Sequence, residues 1–256
     1  MEAENELKLH QERFVKSISI HPRYSGTPEG SASLWLHNDF ALLHMTVEFK
    51  LDEHLDTICL PEFPNERESN YQKTGCVVTG WGKDAFNGNY QRAMKQIELP
   101  IVDNGLCQKQ FRQTDRLSND FQLHDSFICA GGEEGKDACT GDGGGPLVCP
   151  SLYDDDTYVL AGVVAWGIGC GRRNVPGAYA AITDGLCFIH WATRCKHGIQ
   201  YAENYNFDQC NTWIDDEISQ LESSSYRFSH DYLIKARELK NSCVVDLSMF
   251  ERTFSK

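Results

Sequence analysis

A ten-residue stretch, residues 137–146, constrains the fold of this 256-residue chain more than any other part of it. It reads Asp-Ala-Cys-Thr-Gly-Asp-Gly-Gly-Gly-Pro and runs directly into the apolar Leu147-Val148-Cys149. Because glycine has no Cβ, neighbouring backbone N–H groups in such a stretch can turn the same way and form a nest for an anionic oxygen. The stretch therefore predicts an oxyanion-binding loop that leads into a buried strand.

The same stretch resembles the nucleophile loop Gly-Asp-Ser-Gly-Gly-Pro of the trypsin-like serine proteases. The family's nucleophilic serine is replaced by Gly143. Acyl transfer in that family needs a serine hydroxyl, a histidine that takes its proton and an aspartate that orients the histidine. The resemblance implies that Gly141 and Gly143 keep the oxyanion nest, while no side chain is left at this position to attack a carbonyl.

A second motif concerns the aspartate of the family's catalytic triad. Residues 37–43, His-Asn-Asp-Phe-Ala-Leu-Leu, resemble the family motif Asn-Asp-Ile-Ala-Leu-Leu, which implies that Asp39 is its degenerate counterpart. On the motif alone, a capped strand end is an equally good interpretation. None of the nine histidines precedes a cysteine, as the family's catalytic histidine does, and only 38 residues precede Asp39. We therefore expect that histidine to lie outside the chain; the nearby substitutes are His10, His37 and His44.

Two glycine-rich segments resemble the walls of the family's primary specificity pocket. They are residues 163–171 and 175–179. The resemblance puts one acid at the pocket base and three further residues around it: Asp137, then Trp166, Gly167 and Gly177. A buried acid there would favour an arginine or lysine side chain through charge-assisted hydrogen bonds.

Two positions near this pocket depart from active family members. Ala165 stands where the family usually has serine, which weakens the expected alignment of a substrate backbone. In active members the acid equivalent to Asp142 pairs with a freshly cut N-terminal amine, but no Ile-Val-Gly-Gly activation sequence occurs here. Asp142 is therefore expected to find another partner or to remain solvated.

Eleven cysteines are many for a cytosolic protein and indicate maturation in an oxidising compartment. Family spacing implies three disulfides, each worth roughly 2–4 kcal/mol: Cys76–Cys149, Cys107–Cys129 and Cys139–Cys170. Cys59 has no evident partner and is expected to join a missing N-terminal region, as in arthropod clip-domain members. The pairing of four others stays open: Cys187, Cys195, Cys210 and Cys243. Zinc bound by these four with His197 is an alternative that no paired Cys-x₂-Cys spacing supports, so neither metal nor cofactor is expected.

Charge and hydropathy exclude several classes of partner. The formal net charge of −13 argues against nucleic acid and anionic membranes, since both need a basic patch. The apolar run around residues 158–166 is too short to span a bilayer. Residues 154–156 are three acids that could hold a cation, although a solvated hairpin tip is the favoured interpretation. Residues 1–4 do not form a signal sequence, which conflicts with the oxidising compartment that the cysteines indicate. We therefore expect an extracellular, soluble protein whose natural N-terminus lies elsewhere.

The resemblance covers roughly residues 13–218 and implies an all-β fold of two antiparallel six-stranded β-barrels with a C-terminal helix. Residues 1–60 are expected to be the remnant of a first barrel that lacks its opening strands. Residues 61–218 would form the second barrel, with a cysteine-containing insertion before the helix at 212–221. Residues 219–256 would be a polar tail that could hold one helix, at 231–240. Open strand edges predict poor expression of the isolated chain.

The leading functional hypothesis is a secreted, catalytically inactive serine protease homologue that acts as a binding cofactor or decoy in a proteolytic cascade. The arthropod proteins it resembles work in melanisation and innate immunity. This implies protein partners: active cascade proteases, a prophenoloxidase-like target or a microbial surface. An active trypsin-like endopeptidase that cleaves after Arg or Lys is the alternative, and a nonfunctional fragment of a longer secreted protein is a third interpretation.

Overall fold

A computed structural model describes residues 10–25, 36–61, 75–151 and 157–197, together with single helical positions between 215 and 222. The acidic run at 154–156 and the possible helix at 231–240 lie outside these described residues. Of the helix expected at 212–221, positions 215, 216, 218 and 219 are described, and all four are helical. In the described part of the chain, no helix is long and apolar enough to cross a bilayer.

The N-terminal part forms a two-stranded antiparallel sheet of β1 (Val15–Ile20) and β2 (Ala41–Met45). One face is buried through Ser19 and His44, whose side chains approach to 3.0 Å. Ile18 and Leu43 lie opposite each other on the second face and are 56% and 53% exposed. Among the described residues this small sheet has two strands, too few to close a barrel, and its apolar face through Ile18 and Leu43 is exposed to solvent.

The larger sheet contains seven antiparallel strands: β3 (Cys76–Gly80), β4 (Lys95–Leu99), β5 (Ile101–Val102), β6 (Phe127–Gly131), β7 (Pro146–Pro150), β8 (Tyr158–Trp166) and β9 (Pro176–Ala181). Their spatial order is β4-β3-β7-β8-β9-β6-β5. The inward positions form a cluster whose largest fully buried members are Tyr179, Leu99 and Leu147.

The edges of this sheet meet at Pro100. The sequence predicts one strand over residues 96–102, whereas the structure has two, because proline has no N–H to donate and interrupts the ladder. The carbonyl of Pro100 accepts a hydrogen bond from Gly131 N at 2.8 Å. The first and last strands of the sheet are thus consecutive parts of one stretch, and the sheet curls into a barrel. If β4 and β5 are counted as one bent strand, the sheet has six strands, which is the number predicted for the second barrel.

Helix α1 (Asn104–Arg112) follows β5 directly. Its N-cap is Asp103, whose carboxylate accepts a hydrogen bond from Leu106 N at 3.0 Å. Cys107 and Phe111, four residues apart on one helix face, are completely buried. The helix is therefore held to the barrel by its apolar face and by the disulfide from Cys107.

Helix α2 (Ile182–His197) follows β9 directly and covers the start of the expected cysteine-containing insertion. Leu186 and Ala192 are buried in a cluster with Phe40 from the N-terminal part, so the helix packs on the barrel. Apolar residues at 182, 186, 189 and 192 recur at the helical spacing that this contact needs.

All three disulfides that the resemblance implies are present. Cys76–Cys149 joins β3 to β7, Cys107–Cys129 joins α1 to β6, and Cys139–Cys170 joins two loops. Cys187 is also disulfide-bonded and so is not a thiolate ligand for the alternative zinc site. Among the described cysteines, Cys59 is free and exposed.

His21 has a structural position in the contact between the N-terminal part and α2. Its ring is buried and meets the edge of the Phe188 ring at a centroid distance of 5.0 Å. Its Nδ1 accepts a hydrogen bond from Arg23 N at 3.1 Å. Burial, and secondarily the positive charge of Arg23, lowers the pKa of His21 to about 3. The neutral ring is therefore the form that the fold accommodates.

This burial predicts a pH-dependent contribution to stability. The pKa of His21 is depressed in the folded protein, so the unfolded chain binds the extra proton and stability falls as the pH drops below about 6.5. Replacing His21 by Asn keeps a short acceptor and removes the titration. Between pH 7.5 and pH 5, the free energy of unfolding of His21→Asn should improve relative to wild type by about 2 kcal/mol.

Urea unfolding followed by tryptophan fluorescence at both pH values measures this change. His10→Asn is the matched control, because the His10 side chain is 61% exposed and should give no pH-dependent difference. A constant difference between wild type and His21→Asn at both pH values would show that His21 is not buried as a neutral ring.

Candidate functional site

A cavity of about 270 Å³ lies between the segment that follows β6 and the adjoining ends of β8 and β9. The four residues that the sequence assigned to a pocket all line it: Asp137, Trp166, Gly167 and Gly177. The two nest glycines, Gly141 and Gly143, line the same cavity. The structure therefore brings the nest and Asp137, which share residues 137–146, together with pocket residues from two later segments.

Local backbone chemistry explains why the two walls of this cavity meet. The disulfide Cys139–Cys170 joins the 137–143 segment to the loop after β8. Gly171, with a φ of +65°, lies so close to Gly135 that a Cβ on it would come within 3.1 Å of Gly135 Cα. Gly135 N also donates a hydrogen bond to Gly171 O at 2.9 Å. A side chain at Gly171 would be strained both by the left-handed backbone and by this close contact, so glycine allows the two segments to approach.

Asp137 is the acid at the base of the cavity. Its Oδ2 accepts a hydrogen bond from Gly171 N at 3.0 Å, and the N–H of Ala138 also bonds to it. Burial raises its pKa to about 6, although these two N–H groups act in the opposite direction. No described lysine or arginine forms an ion pair with it. A mostly buried carboxylate without a cation is ready to bind one.

Tyr179 adds a second polar group next to this acid. A Cβ built on Gly177 would lie 3.4 Å from both Tyr179 Oη and Asp137 Oδ1, so the two oxygens flank the same glycine. The hydroxyl is buried and has no hydrogen-bond partner among the described residues. Burial, together with the charges of Asp137 and Asp142, raises the pKa of Tyr179. The hydroxyl remains protonated and can donate or accept in the cavity.

Gly143 is the residue that the resemblance places at the nucleophile position. A Cβ built on Gly143 meets no heavy atom of the described residues within 4 Å, so the position is open. Gly141 has a φ of +102°, and a Cβ on it would strike the ring of Tyr90. The loop therefore presents no side chain that could attack a carbonyl at this position.

The carboxylate of Asp142 accepts hydrogen bonds from two backbone N–H groups. Its Oδ1 accepts from Gly82 N at 2.7 Å and its Oδ2 from Cys139 N at 2.9 Å. The sequence predicts that Asp142 either finds another partner or remains solvated, and the structure shows that it has another partner. Both carboxylate oxygens are thus hydrogen-bonded without an amine, and the loop is connected to the turn that follows β3.

A second cavity, of about 450 Å³, lies on the other side of the same segment. Lys83, Lys95 and Asp142 line it and do not line the first cavity. The stretch from Asp137 to Cys139, together with Cys170, lines both cavities. This stretch is the partition between them.

Asp39 and the candidate substitute bases lie away from Gly143. Asp39 is half-buried, burial raises its pKa, and no described residue donates a hydrogen bond to its carboxylate. His37 stacks on His124 with ring centroids 4.0 Å apart, His44 lies in β2 against Ser19, and His10 is exposed. None of these three histidines lines the 270 Å³ cavity. The structure therefore brings no candidate base to Gly143.

The turn at residues 83–90 also contributes to the cavity, a contact that the sequence does not predict. Phe86 lines the mouth of the cavity although its side chain is largely exposed. Tyr90 lies against Gly141, and the ammonium of Lys83 lies 5.5 Å from the centre of the Tyr90 ring. The Asn-Gly pair at 87–88 signals a turn, but nothing in the local sequence places that turn at the cavity. Among the described residues, no group of three or more His, Cys, Asp or Glu side chains could hold a metal ion.

Comparisons with known proteins agree with this geometry. The profile of the family described as Trypsin matches residues 2–191. The chain is 42% identical over 179 residues to phenoloxidase-activating factor 2 of Galleria mellonella, covering 69% of this chain and 55% of that protein. It is 40% identical over 184 residues to inactive CLIP domain-containing serine protease A8 of Anopheles gambiae, covering 72% and 46%.

A third relative is named a transmembrane protease. The chain is 34% identical over 187 residues to transmembrane protease serine 11B of Homo sapiens, covering 73% of this chain and 40% of that protein. In these three alignments the chain spans between 40% and 55% of the relative's length. The part matched by the family profile, residues 2–191, contains the cavity and the glycine loop.

Proposed function

This chain belongs to the trypsin family, and we propose that within the family it is a non-catalytic member that binds a basic side chain of a protein partner. The observation that carries the proposal is the pairing of Asp137 with Gly143 in one cavity. The first residue supplies a buried negative charge that can recognise arginine or lysine. The second leaves the cavity without an attacking hydroxyl.

The loss of catalysis has two independent supports. Gly143 cannot form an acyl intermediate, and none of His10, His37 and His44 lines the cavity to act as a base. Even a site that keeps its oxyanion donors retains only about 10³–10⁴-fold acceleration over water once a triad member is lost. The name of the Anopheles gambiae relative also calls that protein inactive.

The partner is proposed to be a protein in a proteolytic cascade. By their names, one relative is a phenoloxidase-activating factor and another a CLIP domain-containing protease homologue. Disulfides such as Cys76–Cys149 support an oxidising, extracellular location. In this role the protein would bring a cascade protease and its target together, or would hold one of them, through the intact pocket. Free Cys59 would connect it to an N-terminal region, in line with its exposure.

A hydrolysis assay tests the proposal. With a peptide whose arginine is amide-linked to a chromophore, turnover by the wild-type protein should be on the order of 10⁶-fold below that of an active trypsin-family enzyme. A serine-directed phosphonate should leave the protein unlabelled, as intact-mass spectrometry can show. Measurable turnover together with phosphonate labelling would establish the alternative, an active endopeptidase.

Gly143→Ser separates the two reasons for inactivity. The variant should fold, because a Cβ at this position meets no atom within 4 Å, and it should remain inactive because no base reaches the new hydroxyl. Gly143→Ala is the matched control, since it adds the same carbon without the oxygen. Turnover by the serine variant above that of the alanine variant would reveal a substitute base.

A further inference from the structure

The backbone amides around the glycine loop are used unevenly. Asp142 N donates to Cys139 O at 2.9 Å, Gly144 N to Val164 O at 2.9 Å, and Gly145 N to Asp142 O at 2.8 Å. The amides of Gly141 and Gly143 donate to no described residue. Within five residues, the two N–H groups left free are the two whose residues line the cavity. They are available to an acceptor on a ligand.

The same cavity therefore offers opposite chemistry at its two ends. At its base, Asp137 lacks a described cation and Tyr179 has an unpartnered hydroxyl. The part of the cavity lined by Gly141 and Gly143, its rim, has two amides without a described acceptor, and a Cβ on Gly143 would meet no described atom within 4 Å. Both ends belong to one space of about 270 Å³. A ligand that matches the cavity carries a cation at one end and an acceptor at the other.

The acceptor that suits the rim best is a carboxylate. A hydrogen bond from a backbone N–H to an ionised oxygen is about twice as strong as one to a neutral carbonyl. A carboxylate has two oxygens, and the missing side chain of Gly143 leaves room for the second one, since no heavy atom lies within 4 Å of the Cβ position.

The acid closest in sequence does not cancel this preference. Asp142 points away from the rim toward Gly80 and Gly82, and both its oxygens accept backbone hydrogen bonds. It lines the second cavity and not the first. A carboxylate at the rim would therefore meet N–H groups rather than an unpaired acid.

From this arrangement we infer that the site selects a carboxy-terminal arginine or lysine over the same residue within a chain. The basic side chain would reach Asp137, and the terminal carboxylate would accept from Gly141 N and Gly143 N. Such an end is the product of cleavage after a basic residue, so the ligand class is a chain that an active protease has already cut. The inference rests on the proposed function, because it assumes that the pocket binds a basic side chain.

Three small ligands test both ideas with the wild-type protein, by isothermal titration at pH 7.5. Nα-acetyl-arginine has both charges, Nα-acetyl-argininamide lacks the carboxylate, and Nα-acetyl-citrulline lacks the cation. We expect Nα-acetyl-arginine to bind about 10-fold more tightly than its amide. Nα-acetyl-citrulline should bind most weakly of the three.

Each failure has its own signature. If the amide binds as tightly as the acid or more tightly, and both bind more tightly than the citrulline compound, the carboxylate inference is wrong while the basic pocket stands. If the citrulline compound binds as well as Nα-acetyl-arginine, or if no compound binds, the proposed basic pocket fails and the inference fails with it.

Nuclear magnetic resonance places the carboxylate directly. On addition of Nα-acetyl-arginine, the amide protons of Gly141 and Gly143 should move downfield as they gain an ionised acceptor. Those of Gly144 and Gly145, already bonded to Val164 O and Asp142 O, are internal controls and should move little. Equal shifts with the acid and the amide compound would overturn the inference even if the affinities differ.

Discussion

Asp137→Asn should reduce the affinity of the protein for benzamidine, a small aromatic cation, by at least about 100-fold at pH 7.5. The ligand's positive charge has no other described acid at the base of the cavity, and a lost charge-assisted pair in a buried site costs about 3 kcal/mol or more. Isothermal titration measures the loss. Glu133→Gln, which neutralises an exposed acid paired with Lys136 at 3.0 Å, is the matched control and should leave the affinity unchanged.

The same substitution should stabilise the folded protein. Burial raises the pKa of Asp137 to about 6, so the folded state binds the proton more tightly than the unfolded chain does. The resulting destabilisation is absent below about pH 4, grows as the carboxyl ionises, and is complete above about pH 6, where it amounts to at most about 3 kcal/mol. Asparagine keeps one acceptor for the N–H groups of Gly171 and Ala138 and should recover about 1 kcal/mol.

Affinity and stability therefore change in opposite directions at this residue, which a purely structural acid would not produce. Binding of benzamidine to the wild-type protein should also weaken as the pH falls below about 6, because the proton competes with the cation for Asp137. An Asp137→Asn variant that keeps its affinity within threefold, or a wild-type affinity that is flat from pH 7.5 to pH 5, would contradict the role assigned to Asp137.

Phe111→Ala should lower the free energy of unfolding by about 3–5 kcal/mol. The Phe111 side chain has no exposed surface, and its ring lies 4.8 Å from that of Trp166 and 6.0 Å from that of Phe121. Because Trp166 also lines the cavity, removal of the Phe111 ring should loosen the pocket wall and weaken benzamidine binding severalfold.

Urea unfolding monitored by fluorescence measures the free energy of unfolding of Phe111→Ala. Isothermal titration with benzamidine measures its affinity. Phe14→Ala is the matched control, because the Phe14 side chain is 85% exposed and its loss should change neither quantity. A loss of stability below about 1 kcal/mol in Phe111→Ala would mean that α1 does not hold the pocket wall in place.

Much of the barrel and the cavity could be predicted because the information is local. The glycine-rich stretch at 141–145 specifies its own conformation, and the structure shows it as a tight loop in which Gly141 and Gly144 have positive φ. Family spacing also paired the cysteines correctly, since a motif carries its register with it. The convergence of Asp137 and Gly143 on one cavity follows from the same local register.

The remaining features depend on contacts between distant residues. Asp142 bonds to Gly82 N across 60 positions of sequence, and His37 stacks on a ring 87 positions away, at His124. No local pattern specifies such encounters. The position of Phe86 at the cavity also depends on distant contacts. The sequence predicts the turn that carries Phe86 but not the part of the protein against which that turn lies. The break at Pro100 was readable in principle, because proline is excluded from a continuous ladder.

The partition between the two cavities has a practical implication for anyone producing the protein. The Cys139–Cys170 disulfide joins the two segments that line both cavities. A bacterial cytoplasm, or a purification buffer that contains dithiothreitol, would open that link and release both walls at once. Material from such a preparation could be pure and still be unable to recognise any ligand, so a negative binding result means something only after free thiols have been counted.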